Sequence, residues 1–215
     1  MPSSKPEARR FRIFCLKSRF LPFLDRKLSG NICREDLPMP KLQFAVEKLN
    51  RAQQGLLAAA DSVSAAEWSA APGANCWSAA HVVAHLCQVE RSVLGYADRV
   101  IRKVPFRVPF LQRFHVPFVV VEKRLVRRKS PIPVDAELLT SKETMLAELR
   151  GVRERTLSFL DETHGRDLSV YYWPHPFLGK LNFYNWFTFI AVHQIRHTKQ
   201  IAQIAKNLPK RVVPS

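Results

Sequence analysis

The feature that most constrains this chain is an apolar stripe that contains two histidines. Trp186, Ile190, His193, His197, Ile201 and Ile204 follow one another at intervals of four, three, four, four and three residues. That spacing keeps one face of an α-helix turned inward. Gln194, Lys199 and Gln203 fall on the opposite side and are expected to meet solvent. The segment runs from about Asn182 to Asn207 and is closed by Pro209. Two inward imidazoles one helical turn apart must be satisfied by a metal ion, a carboxylate or a buried water. Left unpaired, each costs roughly 1–3 kcal/mol.

Three further helical segments are legible. Leu42, Val46, Leu49, Leu56 and Leu57 mark the first, from about Lys41 to Val63, with alanine as filler. The second starts after the N-cap Ser78 and runs to about Val100, with Val82, His85, Val89, Val93 and Tyr96 inward. The third spans roughly Ser141 to Glu162 and carries Met145, Leu149, Val152, Thr156, Phe159 and Leu160. Seven glycines against fifteen prolines, with few alternating β-branched runs, favour helices joined by proline-rich loops over sheet. The expected fold is all-α, an antiparallel four-helix bundle with one long crossover between its second and third helices.

The crossover, residues 102–136, repeats Val-Pro-Phe at 104–106, 108–110 and 116–118. Its prolines forbid a continuous helix over 105–117, and a short helix is expected within 119–128. Net charge is +16, of which residues 99–129 supply +9 and residues 1–38 supply +5. Phe106, Phe110, Phe114 and Phe118 interleave with these basic residues at four-residue spacing. Such a segment fits single-stranded nucleic acid or an anionic membrane surface, or else caps the end of the bundle.

Residues 1–38 lack a sustained helical period and a continuous apolar h-region, so they are read as a basic extension outside the fold. The bundle domain is expected over 39–209, with 210–215 as a tail. Cys15, Cys33, Cys76 and Cys87 include no CxxC pair, and free thiols in a reducing cytoplasm are the plain reading. Apolar runs fall short of the roughly 18–20 residues of a spanning helix.

On the second helix, His85 lies two turns in and faces the interior, whereas His81 sits in the exposed first turn and is read as structural. Three inward histidines on two helices, His85, His193 and His197, form a candidate three-nitrogen metal site with positions left for water or substrate. Hydrogen-bonded core histidines are the alternative. Imidazole suits zinc, nickel, iron and copper alike, so spacing does not choose the ion. Glu90 is about 140° round the helix from His85 and reads as a surface charge. Arg196 is either an anchor for an anionic cosubstrate or a solubilising charge. Cys87 reads as a packed thiol. Trp173 and His175 belong to a pocket mouth or to loop packing.

Trp77-Ser78, then His85-Leu86 with Glu90 downstream, resembles the second-helix signature of the DinB-like (YfiT-like) superfamily of metalloenzymes. The run His175-Pro176-Phe177-Leu178-Gly179-Lys180-Leu181, followed by His193-Gln194-Ile195-Arg196-His197-Thr198-Lys199-Gln200-Ile201, is similar to its fourth-helix signature. The resemblance covers roughly residues 40–207. It implies a four-helix bundle, often a homodimer, holding a divalent ion through His85, His193 and His197, with zinc, nickel, iron and manganese as candidates. It also implies a small-molecule substrate. Thiol-dependent S-transfer, with a low-molecular-weight thiol as cosubstrate, is the favoured reaction, and metal-assisted hydrolysis comes next.

Overall fold

The computed structural model describes residues 40–105, 107–123, 133–134 and 138–208. The basic extension 1–38, the tail 210–215, Phe106 and the basic run 124–129 lie outside the described residues. Five helices and one small sheet make up the described structure: α1 (Pro40–Asp61), α2 (Ala79–Ile101), α3 (Phe118–Glu122), α4 (Lys142–Glu162), β1 (Tyr172–His175), β2 (Gly179–Asn182) and α5 (Phe183–Asn207). No described helix is long and apolar enough to cross a membrane.

Side-chain caps explain where three of the long helices begin. Ser78 Oγ accepts from the His81 amide, Ser141 Oγ from the Thr144 amide, and Asn182 Oδ1 from the Asn185 amide. Each satisfies one of the amides that a helix N-terminus leaves without a partner, worth about 1 kcal/mol. α1 packs against α5 and α4, and α2 packs against the same two helices. This arrangement sets α2 beside α5, the two helices that carry the histidines.

The apolar interior falls into two clusters. One gathers Leu42, Leu49, Val93, Leu160 and the aromatic start of α5, including Phe183 and Phe187. The other gathers Leu56, Val82, Leu86, Leu149, Val152 and Ile201. Fully buried leucines and isoleucines such as Leu49, Leu56, Leu149 and Ile201 contribute about 1.5–3 kcal/mol each. Between the clusters, α2 carries Glu90, α4 carries Arg153 and Thr156, and α5 carries Gln194 and His197, all buried. A polar layer therefore crosses the core at mid-height. Ala45, Ala52 and Ala60 of α1 are buried too, so the alanines are packing residues and not mere filler.

The sheet is the element that helical periodicity does not foresee. β1 and β2 pair antiparallel with Trp173 opposite Leu181, and both of these side chains are buried. Four-residue strands are too short to establish an alternating pattern, and Pro174 interrupts the first. Gly179 opens β2 at φ +90°, where an L side chain is strained, and the Phe114 carbonyl lies close to its missing Cβ position. The crossover uses that approach. His115 bridges to Gly179, and the Val116 amide donates to the Leu178 carbonyl. As the prolines require, the described residues 107–117 form no continuous helix, only a short 3-10 turn over Phe110–Arg113. Of the short helix expected over 119–128, the described part is α3, which spans Phe118–Glu122; residues 124–128 lie outside the described residues.

Candidate metal centre

Ser78 fixes the start of α2, so His85 lies two turns inside it, buried and directed at α5. His193 and His197 answer from α5 at i and i+4. The structure brings the three together, each offering one nitrogen within 4.8 Å of the others. Ring centroids lie 5.2 Å from His85 to His193, 5.2 Å from His85 to His197 and 4.5 Å from His193 to His197. The Nε2 atoms of His193 and His197 are 3.1 Å apart. A tetrahedral ion with bonds of about 2.0–2.1 Å holds its nitrogens roughly 3.3 Å apart, a spacing the His193–His197 pair already has.

Side chains around the triad orient it. Gln200 Oε1 lies 2.9 Å from His197 Nδ1 and accepts its proton, which leaves the Nε2 lone pair facing the other two rings. Trp77 stacks on His197 at 6.2 Å and tilts against His85 at 5.1 Å. Phe189 stacks on His193 at 5.3 Å. The site thus has an aromatic wall on each of two sides. Trp77 and Gln200 escape a reading based on stripes, because one precedes the helix and the other is an unremarkable polar residue on it.

Electrostatics favour the neutral ligand form. Burial pulls the His85 pKa down to about 4. His193 is held well below the usual imidazole range by burial first, and then by the neighbouring His197 and His85. Neutral imidazoles are the form a metal binds. His85 Nδ1 is buried without a hydrogen-bond partner, an orphaned polar atom of the kind a bound ion would satisfy. Three neutral nitrogen donors converging on one point fit a divalent transition metal.

Glu90 is not the surface charge its sequence position suggests. It is 3% exposed and pairs through both carboxylate oxygens with Arg153 of α4, at 2.8 and 2.9 Å. Arg153 Nη2 also donates to Gln194 Oε1 at 2.7 Å, and Nη1 donates to the Leu49 carbonyl. Gln194 is 1% exposed, where the helical wheel put it in solvent. Both corrections share one cause: α2 and α5 are each flanked by two helices, so each buries far more than one stripe. Tyr96, expected inward, is exposed and lies against Trp173.

The remaining candidates sort as follows. His81 is tied to the N-cap, its Nδ1 2.7 Å from Ser78 Oγ, and stands outside the triad. Cys87 is buried, and its thiol pKa is pushed up to about 12 by burial, which leaves it inert. Trp173 is packed flat on Trp186 at 5.3 Å. His175 wedges against Phe189 and Trp186. Arg196 donates to the Val121 carbonyl at the end of α3.

Uncharacterized protein YuaE of Bacillus subtilis (strain 168) is 26% identical over 140 residues, which cover 65% of this chain and 83% of that protein. No solved structure gives a significant match. A family model described as the DinB superfamily matches residues 48–201, a span that takes in α2, α4 and the whole triad. The chain belongs to the DinB superfamily.

Proposed function

We propose that this protein is a metal-dependent enzyme that holds a divalent ion through His85, His193 and His197. Its four long helices are read as a four-helix bundle with residues 102–136 as the crossover. The observation that carries the proposal is the convergence of three imidazoles, one of them with a buried nitrogen left without a partner. Zinc, nickel and iron suit the nitrogen donor set, and manganese is kept as a harder candidate.

Bound there, a divalent ion supplies Lewis acidity and lowers the pKa of a ligated thiol or water, so that the nucleophile exists at neutral pH. The chain's own groups do the rest. Gln200 keeps the His197 lone pair turned to the site, and the rings of Trp77 and Phe189 shield its sides. Transfer to or from a low-molecular-weight thiol is the reaction we favour, with metal-assisted hydrolysis as the second form of the same chemistry. A thiol cosubstrate and the free Cys76 and Cys87 both suit a reducing compartment such as the cytoplasm.

The test is elemental analysis of untagged protein, beside His85→Ala, His193→Ala and His197→Ala and a His81→Ala control. Near-stoichiometric metal in wild type and control, lost in the three variants, is the expected result and directs a thiol-transfer screen with that ion. Wild type that takes up no metal after reconstitution with zinc, nickel, iron or manganese removes the proposal.

A further inference from the structure

The crossover has a property that the metal centre does not explain. Of the ten exposed large hydrophobic residues described, six lie between Val104 and Val119. Leu111 is 82% exposed, Phe110 68% and Phe114 65%. These three ride on the turn that Pro109 opens, with the Phe110 and Phe114 rings packed edge to face at 5.2 Å. The polar side of the same segment is fixed to the body of the protein. Gln112 Oε1 accepts from Lys180 Nζ at 2.7 Å, Arg113 Nε donates to the Val108 carbonyl, and His115 Nε2 lies 3.0 Å from Asn185 Nδ2. At the far end, Arg196 and Lys199 donate to the last carbonyls of α3. A loop held this firmly by its backbone, with its largest apolar side chains turned out, is a presented surface and not a failed core.

Charge selects what that surface meets. Residues 99–129 hold ten Lys and Arg against the single acid Glu122. Lys103, Arg107, Arg113 and Lys123 are exposed around the aromatic turn. Among the described residues of this segment, Arg102 is engaged in an ion pair, with Asp98. An open cleft of about 220 Å³ lies at the start of the segment, lined by Tyr96, Lys103, Val104, Trp173 and Lys180. We propose that the 103–123 face docks on an anionic bilayer surface, with Phe110, Leu111 and Phe114 inserted at the headgroup–acyl boundary and the basic residues on the lipid phosphates.

The side chains discriminate against the other occupants. A second copy of this chain would bring the same strongly positive face against itself. Single-stranded nucleic acid would stack on open aromatic faces, but in the Phe110–Phe114 pair the edge of one ring occupies a face of the other. Leu111, Val104 and Val119, the most exposed aliphatic members, have no ring to stack on. Short apolar side chains beside cations instead match the layered chemistry of a lipid interface. This inference is independent of the metal centre.

The experiment is co-sedimentation of the full chain with vesicles of phosphatidylcholine alone and of phosphatidylcholine with roughly one third phosphatidylglycerol. Three proteins are compared: wild type, the triple variant Phe110→Ser, Leu111→Ser, Phe114→Ser, and the double variant Lys103→Glu, Arg107→Glu. Expected is binding to the anionic vesicles only, weakened by salt. The double variant should bind at least about tenfold more weakly, given roughly fivefold per basic residue. The triple variant should lose binding at fixed salt while keeping its far-ultraviolet dichroism and metal content. Absence of wild-type binding to anionic vesicles at low ionic strength overturns the proposal, as does equal binding to neutral ones. Undiminished vesicle binding by the triple variant does so too. So does a triple variant that loses binding to a single-stranded oligonucleotide, or turns a dimer into a monomer, while its vesicle binding is unchanged.

Discussion

Two polar clusters share the middle of this core, and they differ in one respect. Arg153, Glu90 and Gln194 form a set closed around one cation: the guanidinium is spent on a carboxylate, an amide oxygen and the Leu49 carbonyl, and Gln194 Nε2 alone is left over. His85, His193 and His197 form a set that does not close. Their nitrogens converge, and His85 Nδ1 is left over. A buried cation matched by its neighbours contributes to uniqueness of the fold; donors that converge with no cation among them point to a ligand. Burial alone does not separate structure from function here, because both clusters are buried. The matched cation does.

The largest expected effect breaks the closed cluster. Arg153→Met removes the cation and leaves the Glu90 carboxylate buried and unpaired, which costs about 3–5 kcal/mol. Urea unfolding at pH 7 reads this as a lowered midpoint. The partner change Glu90→Leu on that background should restore much of the loss, since a well-packed apolar pair replaces a buried ion pair at little cost. A single variant as stable as wild type would mean that the pair is not buried in solution.

A smaller effect sharpens the open cluster. Gln200→Ala removes the acceptor that fixes the His197 tautomer and should weaken metal affinity by about 10–100-fold. The stability of metal-free protein should change little, since Gln200 is only partly buried. Competition with a chromophoric chelator measures the affinity. An unchanged value would show that the Nδ1–Oε1 bond does not orient the ligand.

The contrast also explains what was legible in the sequence. The triad could be read because all three histidines fall on apolar stripes whose period the chain repeats several times. Ser78, Ser141 and Asn182 marked helix starts because capping is chemistry local to three or four residues. The closed cluster was not legible. Glu90 and Arg153 are 63 positions apart, and a charged residue read alone is assigned to solvent. A trace existed all the same: Arg153 falls four residues after Leu149, on the inward side of α4. The β1–β2 hairpin was hidden by its brevity, and Trp77 by its place outside any periodic element.

His175 supplies a third case, a half-buried imidazole whose Nδ1 the protein does satisfy. Its Nδ1 accepts from the amides of Phe177 and Leu178 at 3.1 and 3.2 Å, and its ring lies 4.4 Å from Phe189. Burial lowers its pKa to about 4, against an ordinary value of 6.5. The sign follows from where the proton goes. Between those two values the unfolded chain binds a proton that the folded chain refuses, so acid favours unfolding. The contribution of His175 to stability is complete above about pH 6.5 and is lost as pH falls toward about 4. In metal-free protein the urea midpoint should therefore decline over that window, and His175→Gln, which keeps an acceptor but cannot titrate, should shrink the decline. The triad also holds depressed histidines, so some slope will remain in the variant; identical slopes in the two proteins would mean that His175 is already solvated in the fold. A shallower slope would place His175 with the Arg153 cluster, as a polar group whose partners come from the protein itself.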